Sequence, residues 1–158
     1  MIMEAGVVRK GSLQDLPNII ALEQKCFETE IAYTPQQLKY LLTKAHGNCI
    51  IETIEQTLRG FIIVLYKNKT RVAGVETLNV DPSFQGLGIG RKLLQAAEED
   101  MFPRDIQKVR LEVSVGNQGA IRLYERAGFQ IVAFLPNFYR YLHHRTYDAF
   151  RMAKMLPT

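Results

Sequence analysis

The sequence predicts a mixed α/β fold in which a single, mostly antiparallel central sheet is flanked by helices. Three observations support this prediction. The chain has 158 residues, of which 47% are hydrophobic, so it can bury one full core but not two. The spacing of apolar residues changes between the helical and the strand period along the chain. Successive strand-like runs near its middle are joined by short polar turns, which favour antiparallel hairpins.

Two helices are expected after a strand-like run in the first ten residues. The first helix is capped by Ser12 or Asp15, and Pro17 favours Asp15 because proline is tolerated only in the first turn. The second helix begins at Thr34, with Pro35 at its first position. Both helices therefore precede the main part of the sheet.

The rest of the chain predicts six strands and two helices. The strands cover residues 49–55, 58–66, 72–80, 109–115, 129–135 and 149–155. One helix follows Gly90 and runs to Pro103, and another is capped by Asn117 and ends at Gly128. The resulting order is β-α-α-β-β-β-α-β-α-β-β. Because it contains no internal repeat or linker, one domain is predicted over residues 1–158.

Composition and charge exclude several functional classes. The net charge is +4, and residues 104–158 carry nine basic and four acidic side chains. This modest surplus suits a small anionic ligand but is too sparse to wrap duplex nucleic acid. The longest apolar run, at residues 61–66, is too short to span a membrane, so no membrane partner is expected. Cys26 and Cys49 lack partners at metal-ligand spacing, which predicts reduced core thiols, no metal and a cytoplasmic protein.

A glycine-rich segment, here named the glycine loop, lies between a predicted strand and a predicted helix. Its residues are Gln85, Gly86, Leu87, Gly88, Ile89, Gly90 and Arg91. Glycines let successive N–H groups turn toward one point, and a helix amino terminus adds partial positive charge. A dinucleotide fingerprint would need glycine in place of Arg91, and no Walker A sequence is present. The segment therefore predicts a phosphate-binding loop, with a tight turn that binds no ligand as the alternative.

Two motifs resemble one known family. The pattern Gln85-x-x-Gly88-x-Gly90, placed after Val80-Asp81-Pro82, resembles the acyl-CoA pyrophosphate loop of the GNAT superfamily of N-acetyltransferases. Downstream, Leu111-Glu112-Val113 and a spaced set of residues resemble the strand, loop and helix that complete the family's cofactor cleft. That set is Asn117, Ala120, Ile121, Tyr124, Glu125, Gly128 and Phe129. Two motifs in the right order make the resemblance specific and imply the GNAT fold.

The resemblance implies that acetyl-CoA is the co-substrate and that its acetyl group passes directly to an amine in a ternary complex. Neither cysteine is then needed as a nucleophile. The implied cofactor contacts are Leu78, Asn79, Val80, Gln85, Gly86, Leu87, Gly88, Ile89, Gly90, Arg91, Asn117 and Tyr124. Backbone groups of the first three would bond the pantetheine arm and polarise the thioester carbonyl. Asn117 is expected to cap its helix, to contact the cofactor, or to do both.

Three side chains are candidates for proton transfer. The resemblance places Tyr124 near the cofactor sulfur as general acid, with a buried core tyrosine as the alternative. Glu76 is the candidate base, because alternate strand residues share a face and its carboxylate would point the same way as Leu78 and Val80. A solvated carboxylate is the alternative for Glu76. By likeness to relatives, Tyr139 binds the acceptor amine or relays its proton, with a lone surface aromatic as the alternative.

A narrower resemblance concerns the acceptor. The second motif, followed by Asn137-Phe138-Tyr139, is similar to the ribosomal-protein-alanine and other protein N-terminal acetyltransferases. Those enzymes usually carry two adjacent tyrosines and a short acidic turn, whereas this chain has Phe138-Tyr139 and a basic stretch at residues 140–145. Because of the resemblance, a protein or peptide α-amino group is the favoured acceptor. The adjacent His143 and His144 are predicted to lie in a solvated loop.

Two alternatives stay open beside this function. One keeps the enzyme and changes the acceptor to a small amine, such as a polyamine or an amino sugar. The other is a non-catalytic acyl-CoA-binding regulatory module. Nothing in the sequence decides the oligomeric state, and a homodimer is left open.

Overall fold

The mixed α/β fold expected from the sequence is confirmed by the structure, a computed structural model that describes residues 6–157. The strands are β1 Val7–Lys10, β2 Gly47–Ile54, β3 Thr57–Tyr66, β4 Val72–Val80, β5 Lys108–Ser114, β6 Gln130–Leu135 and β7 Ala149–Met155. The helices are α1 Leu16–Cys26, α2 Pro35–Thr43, α3 Ile89–Met101 and α4 Gln118–Arg126. Their order is the one predicted, and no helix within the described residues is long and apolar enough to cross a membrane.

The seven strands form one sheet in the order β1-β2-β3-β4-β5-β7-β6. Neighbouring strands are antiparallel except β4 and β5, which are parallel and pair only over Val72–Gly74 and Lys108–Arg110. Beyond that pairing, β4 continues to Val80 and β5 to Ser114 without hydrogen bonds between them. The two strands therefore diverge, and they leave a cleft in the middle of the sheet.

Helices cover both faces of the sheet, and β3 shows why. Successive side chains of a strand point to opposite faces, so Phe61 and Ile63 pack with α1 and α2, whereas Ile62 and Val64 pack with α3 and α4. All four are 0% exposed, which makes β3 a near-continuous apolar run rather than an alternating one. The core thus lies in two layers, one on each face of β2 and β3.

The helix starts follow the predicted signals, with one difference. Thr34 Oγ1 accepts from the Gln37 N–H at 3.1 Å, and Gln37 Oε1 accepts from the Thr34 N–H at 2.8 Å, which completes a capping box for α2. Asp15 holds the predicted cap position of α1, but its carboxylate accepts from the Ser12 N–H and the Arg9 guanidinium instead of capping that helix. A single 3₁₀ turn at Leu13–Asp15, begun by Ser12, causes this difference.

Candidate active site

The cleft between the diverging strands has a volume of ≈ 290 Å³. The three proton-transfer candidates, Glu76, Tyr124 and Tyr139, line it together with two of the predicted cofactor contacts, Leu78 and Asn117. Its other lining residues are Glu23, Phe27, Ile31, Tyr33, Val75, Thr77, Leu111, Glu112, Val113, Ser114, Ala120, Phe138, His143 and His144. The tertiary structure therefore brings the proton-transfer candidates from β4, α4 and the segment before β7 into one space.

Glu76 lies at a β-bulge, which corrects the prediction that it shares a face with Leu78 and Val80. Ile63 pairs with Thr77 and Val64 pairs with Val75, so Glu76 is the extra residue without a partner on β3. The bulge shifts the alternation by one, and Val75 and Leu78 consequently pack in the same core layer although they are three residues apart. Glu76 is exposed and turns toward α1 and α2 instead.

Glu23, a buried carboxyl on α1 that the sequence did not reveal, helps to hold Glu76 in place through Tyr33. The Tyr33 hydroxyl, in the segment before α2, donates to Glu76 Oε1. Glu23 on α1 accepts from the Tyr33 N–H at 2.9 Å and from Asn79 Nδ2 at 2.7 Å. Burial raises the pKa of the Glu23 carboxyl and, together with Glu76, the pKa of the Tyr33 phenol, which therefore stays a donor. The only signal for Glu23 was its place beside Ile19 and Leu22 on the apolar face of α1.

Tyr124 projects from α4 and is 7% exposed. Its ring packs edge-on against Phe129, with the ring centroids 5.8 Å apart. Tyr124 borders the cleft. Burial raises the pKa of Tyr124 above that of a free phenol, so the side chain carries a proton at neutral pH and can give it to a group in the cleft.

Residues 136–148, here named the C-terminal loop, are largely exposed, as predicted around His143 and His144. His144 is exposed and His143 half-buried, but both also line the cleft, which the sequence did not indicate. The His143 ring stacks on Tyr139 with centroids 3.8 Å apart and an interplanar angle of 19°. Ser114 Oγ at the end of β5 donates to the His143 carbonyl oxygen at 2.6 Å. The loop is therefore a wall of the site rather than a free segment.

Glu112 on β5 is a further carboxylate that lines the cleft, and the sequence did not indicate it as a site residue. It lay inside the Leu111-Glu112-Val113 motif, but nothing in the strand period showed that β5 would diverge from β4 and open the cleft beside it. Its carboxylate accepts from Arg151 Nε on β7 at 3.2 Å. Burial and, next, the charge of Glu112 raise the pKa of Tyr139 to about 12. Two carboxylates, on β4 and β5, thus face one phenol-lined space.

The glycine loop has the conformation that its sequence suggested. Gly86 and Gly88 have φ values of +82° and +79°, and Gly88 caps α3. Such angles strain any residue with a Cβ, and residues 85–88 are exposed, so their backbone N–H groups and the amino terminus of α3 are open to an anion. In the rest of the loop, Ile89 and Gly90 are buried, and Arg91 donates to the Arg126 carbonyl oxygen at 3.2 Å.

The remaining predicted cofactor contacts lie on β4 and at the start of α4. The Asn79 side chain is occupied by Glu23 and its backbone pairs with Phe61 on β3, so of residues 78–80 only Leu78 and Val80 direct their N–H groups toward β5. From Val75 to Val80, β4 has no strand partner on its β5 side within the described part of the chain. Asn117 Oδ1 accepts from the Ala120 N–H at 3.2 Å, so this residue caps α4, and it also lines the cleft. The cleft therefore offers one unpaired strand edge to an extended ligand.

Comparison with known proteins identifies this architecture. The sequence profile of the acetyltransferase (GNAT) family matches residues 16–129, which span both strands of the cleft, the glycine loop and α4. The chain belongs to this family. The predicted activity of an acetyl-CoA-dependent N-acetyltransferase is thereby confirmed, and the alternative of a non-catalytic binding module is set aside.

Individual members of the GNAT family resemble this chain to different extents. The N-alpha-acetyltransferase RimI of Mycobacterium tuberculosis is 31% identical over 128 residues, covering 80% of this chain and 79% of that protein. The ribosomal protein bS18-alanine N-acetyltransferase of Salmonella typhimurium is 40% identical over 60 residues, which are 38% of this chain and 40% of that protein. The crystal structure of the ribosomal-protein-S18-alanine N-acetyltransferase from Escherichia coli aligns with a TM-score of 0.85 at 24% identity, covering 97% of this chain and 95% of that one.

Proposed function

We propose that this GNAT enzyme transfers the acetyl group of acetyl-CoA to the α-amino group of a protein or peptide, by direct attack within a ternary complex. The observation that carries the proposal is the cleft itself, in which a protonated phenol, Tyr124, and two carboxylates, Glu76 and Glu112, face the same space. Acetyl transfer to an amine needs both an acid for the leaving thiolate and a base for the amine. The names of the relatives with N-alpha-acetyltransferase activity support the choice of acceptor.

The cofactor end of the site fits coenzyme A. Left-handed glycines and the amino terminus of α3 suit a pyrophosphate group, and the unpaired edge of β4 suits the extended pantetheine arm. On this proposal, the backbone N–H groups of Leu78 and Val80 bond the arm and polarise the thioester carbonyl as negative charge develops on its oxygen. Gln85 and Arg91 lie at the two ends of the glycine loop that would hold the phosphates.

Tyr124 is the proposed general acid. Attack by the amine nitrogen forms a bond to the thioester carbon, the carbon–sulfur bond then breaks, and the Tyr124 hydroxyl gives its proton to the departing sulfur. Because Tyr124 lines the cleft, its hydroxyl can reach a group bound there. The raised pKa of Tyr124 keeps the proton on oxygen until the thiolate forms.

One of two carboxylates is proposed to act as the base that accepts the proton of the acceptor amine. Glu76 is held by the Tyr33 hydroxyl through one oxygen, which leaves the other oxygen for the amine. Glu112 is held by Arg151, whose Nε lies 3.2 Å from Glu112 Oε2. Tyr139 borders the same end of the cleft and is proposed to contact the amine or to pass its proton on.

The side chains around these groups favour a peptide with an apolar first residue. Phe27, Ile31 and Phe138 add apolar surface to the cleft beside Tyr33 and Tyr139. Apolar walls with a few placed polar groups are the usual composition of a ligand pocket. A small amine is the second candidate acceptor, because Glu76 and Glu112 place two carboxylates where a compact cation could bind.

A panel of acceptors tests the proposal. Purified enzyme and acetyl-CoA are incubated with peptides that differ in the first residue and with polyamines and amino sugars, and release of the coenzyme A thiol is followed. We expect the highest kcat/KM with a peptide that has an unblocked α-amine and an apolar first residue, and none with the same peptide acetylated beforehand. Higher kcat/KM with a small amine would contradict the proposal.

The same assay identifies the base. Glu76→Gln and Glu112→Gln each remove a carboxylate at nearly constant size. The variant that lacks the base should lose about a hundredfold in kcat and regain part of it at alkaline pH, where the amine is already neutral. The other variant should change mainly KM for the acceptor.

A further inference from the structure

The C-terminal loop contains one face-to-face pair of aromatic rings among the described residues, Tyr139 and His143. Their centroids are 3.8 Å apart, and Phe138 meets Tyr139 edge-on at 5.0 Å and 87°. We propose that His143 is a positioning residue, which fixes the Tyr139 ring at the acceptor side of the cleft by covering one of its faces. This inference rests on the proposed function, because it concerns how Tyr139 meets the acceptor.

His143 is itself held from several sides. Ser114 Oγ, buried at the end of β5, donates to the His143 carbonyl oxygen at 2.6 Å. The His143 N–H donates to the Thr146 carbonyl oxygen at 2.9 Å, and His143 Nδ1 lies 3.0 Å from the Tyr141 carbonyl oxygen. The tautomer with the proton on Nδ1 therefore donates to Tyr141. The backbone of His143 is thus tied to β5, and its ring is tied to the loop backbone at Tyr141.

The turn after His143 has a conformation that its residue types do not favour. His144 and Arg145 have φ values of +53° and +67°, and the bridge between His143 and Thr146 closes a two-residue turn over them. Hairpin turns with two left-handed residues usually carry asparagine and glycine. A left-handed pair without glycine persists only where the surroundings hold it. Here the Ser114 bond holds the residue that begins the turn, and Gly116 leaves no room for a side chain beside the His144 carbonyl oxygen.

This arrangement acts on Tyr139 and not on the glycine loop. Tyr139 is tied by its N–H to the Tyr147 carbonyl oxygen at 3.0 Å, but that bond leaves its ring free to rotate about the side-chain bonds. Stacking on a fixed His143 removes that freedom and keeps the phenol directed into the cleft. Loss of the stack should therefore weaken acceptor binding and leave acetyl-CoA binding unchanged.

Variants of His143 in the full chain test this inference, with Leu142→Ala as matched control. The Leu142 side chain is 49% exposed on the same loop and does not line the cleft. Acceptor KM, kcat and the Kd for acetyl-CoA are measured with the best acceptor of the panel, be it a peptide or a small amine. We expect His143→Leu to raise acceptor KM about tenfold at unchanged Kd for acetyl-CoA. His143→Phe, which restores a ring that can stack, should stay within about twofold of the wild type.

A double-variant cycle separates positioning from a direct contact. If His143 acts through Tyr139, Tyr139→Ala with His143→Leu is no worse than Tyr139→Ala alone. Additive losses, or a His143→Leu variant with the wild-type KM, would overturn the inference. If His143→Leu lowers the melting temperature, His143→Gln takes its place and must give the same cycle. Failure of the proposed function would be seen separately, because the wild-type enzyme would then acetylate no peptide in the panel.

Discussion

The glycine loop and the C-terminal loop both use left-handed backbone, but they maintain it by different means. In the glycine loop the left-handed residues are Gly86 and Gly88, and a Cβ built on either would meet no atom within 4 Å. In the C-terminal loop they are Asn137, His144 and Arg145. The Asp148 carboxylate of the same loop accepts from the Asn137 N–H, and Ser114 on β5 donates to the His143 carbonyl oxygen just before the other two. The first loop owes its shape to residue type, whereas hydrogen bonds from side chains support the second.

This difference bears on function. A loop whose shape depends on glycine leaves its backbone N–H groups accessible to a ligand. This suits recognition of the phosphate groups of a co-substrate that is the same for every acceptor. A loop held by side chains can vary those side chains, which suits selection among acceptors. Three substitutions test whether the two loops and the phenol between them control different kinetic constants.

The largest effect is expected from Gly88→Val. Valine at φ +79° is strained, and its side chain would cover the N–H groups of the glycine loop, so acetyl-CoA affinity should fall by about a hundredfold or more. Calorimetric titration with acetyl-CoA measures this. Gly119→Ala is the matched control, since a Cβ at Gly119 also meets nothing within 4 Å but its φ is not positive. Normal binding by the valine variant would mean that the glycine loop is only a turn.

A smaller effect, confined to the chemical step, is expected from Tyr124→Phe. The ring contact with Phe129 is kept and only the hydroxyl is lost, so kcat should fall by more than about tenfold while the Kd for acetyl-CoA is unchanged. Steady-state kinetics and calorimetry measure the two constants. Tyr40→Phe, at an exposed position of α2, is the control. Unchanged turnover would remove Tyr124 from the proposed mechanism.

The smallest of the three effects is expected from Gly116→Ala. The new Cβ would lie 2.3 Å from the His144 carbonyl oxygen, so the turn that carries His143 must shift. We expect acceptor KM to rise about fivefold and the Kd for acetyl-CoA to stay constant. Gly119→Ala again serves as control. An equal loss of acetyl-CoA affinity would show that the two loops are not independent.

The cofactor side was predictable because its signals are local. Glycines at alternate positions between a strand and a helix, and the Asn117 cap before α4, indicate backbone conformation within a few residues. The acceptor side was only partly predictable. Resemblance points to Tyr139, whereas nothing local reveals that His143 stacks on it, because adjacent histidines carry no periodic signal.

The sequence by itself determined the order of helices and strands, the caps of α2 and α4 and the glycine loop, since periodicity and residue type act over short stretches of chain. Only the tertiary structure decided where Glu76 points and which carboxylates share the cleft. The bulge at Glu76 arises from the register with β3, and its partner Tyr33 lies 43 residues away in sequence. Glu23 and Asn79 are 56 residues apart. Contacts at such separations depend on how elements pack, and no local pattern encodes them.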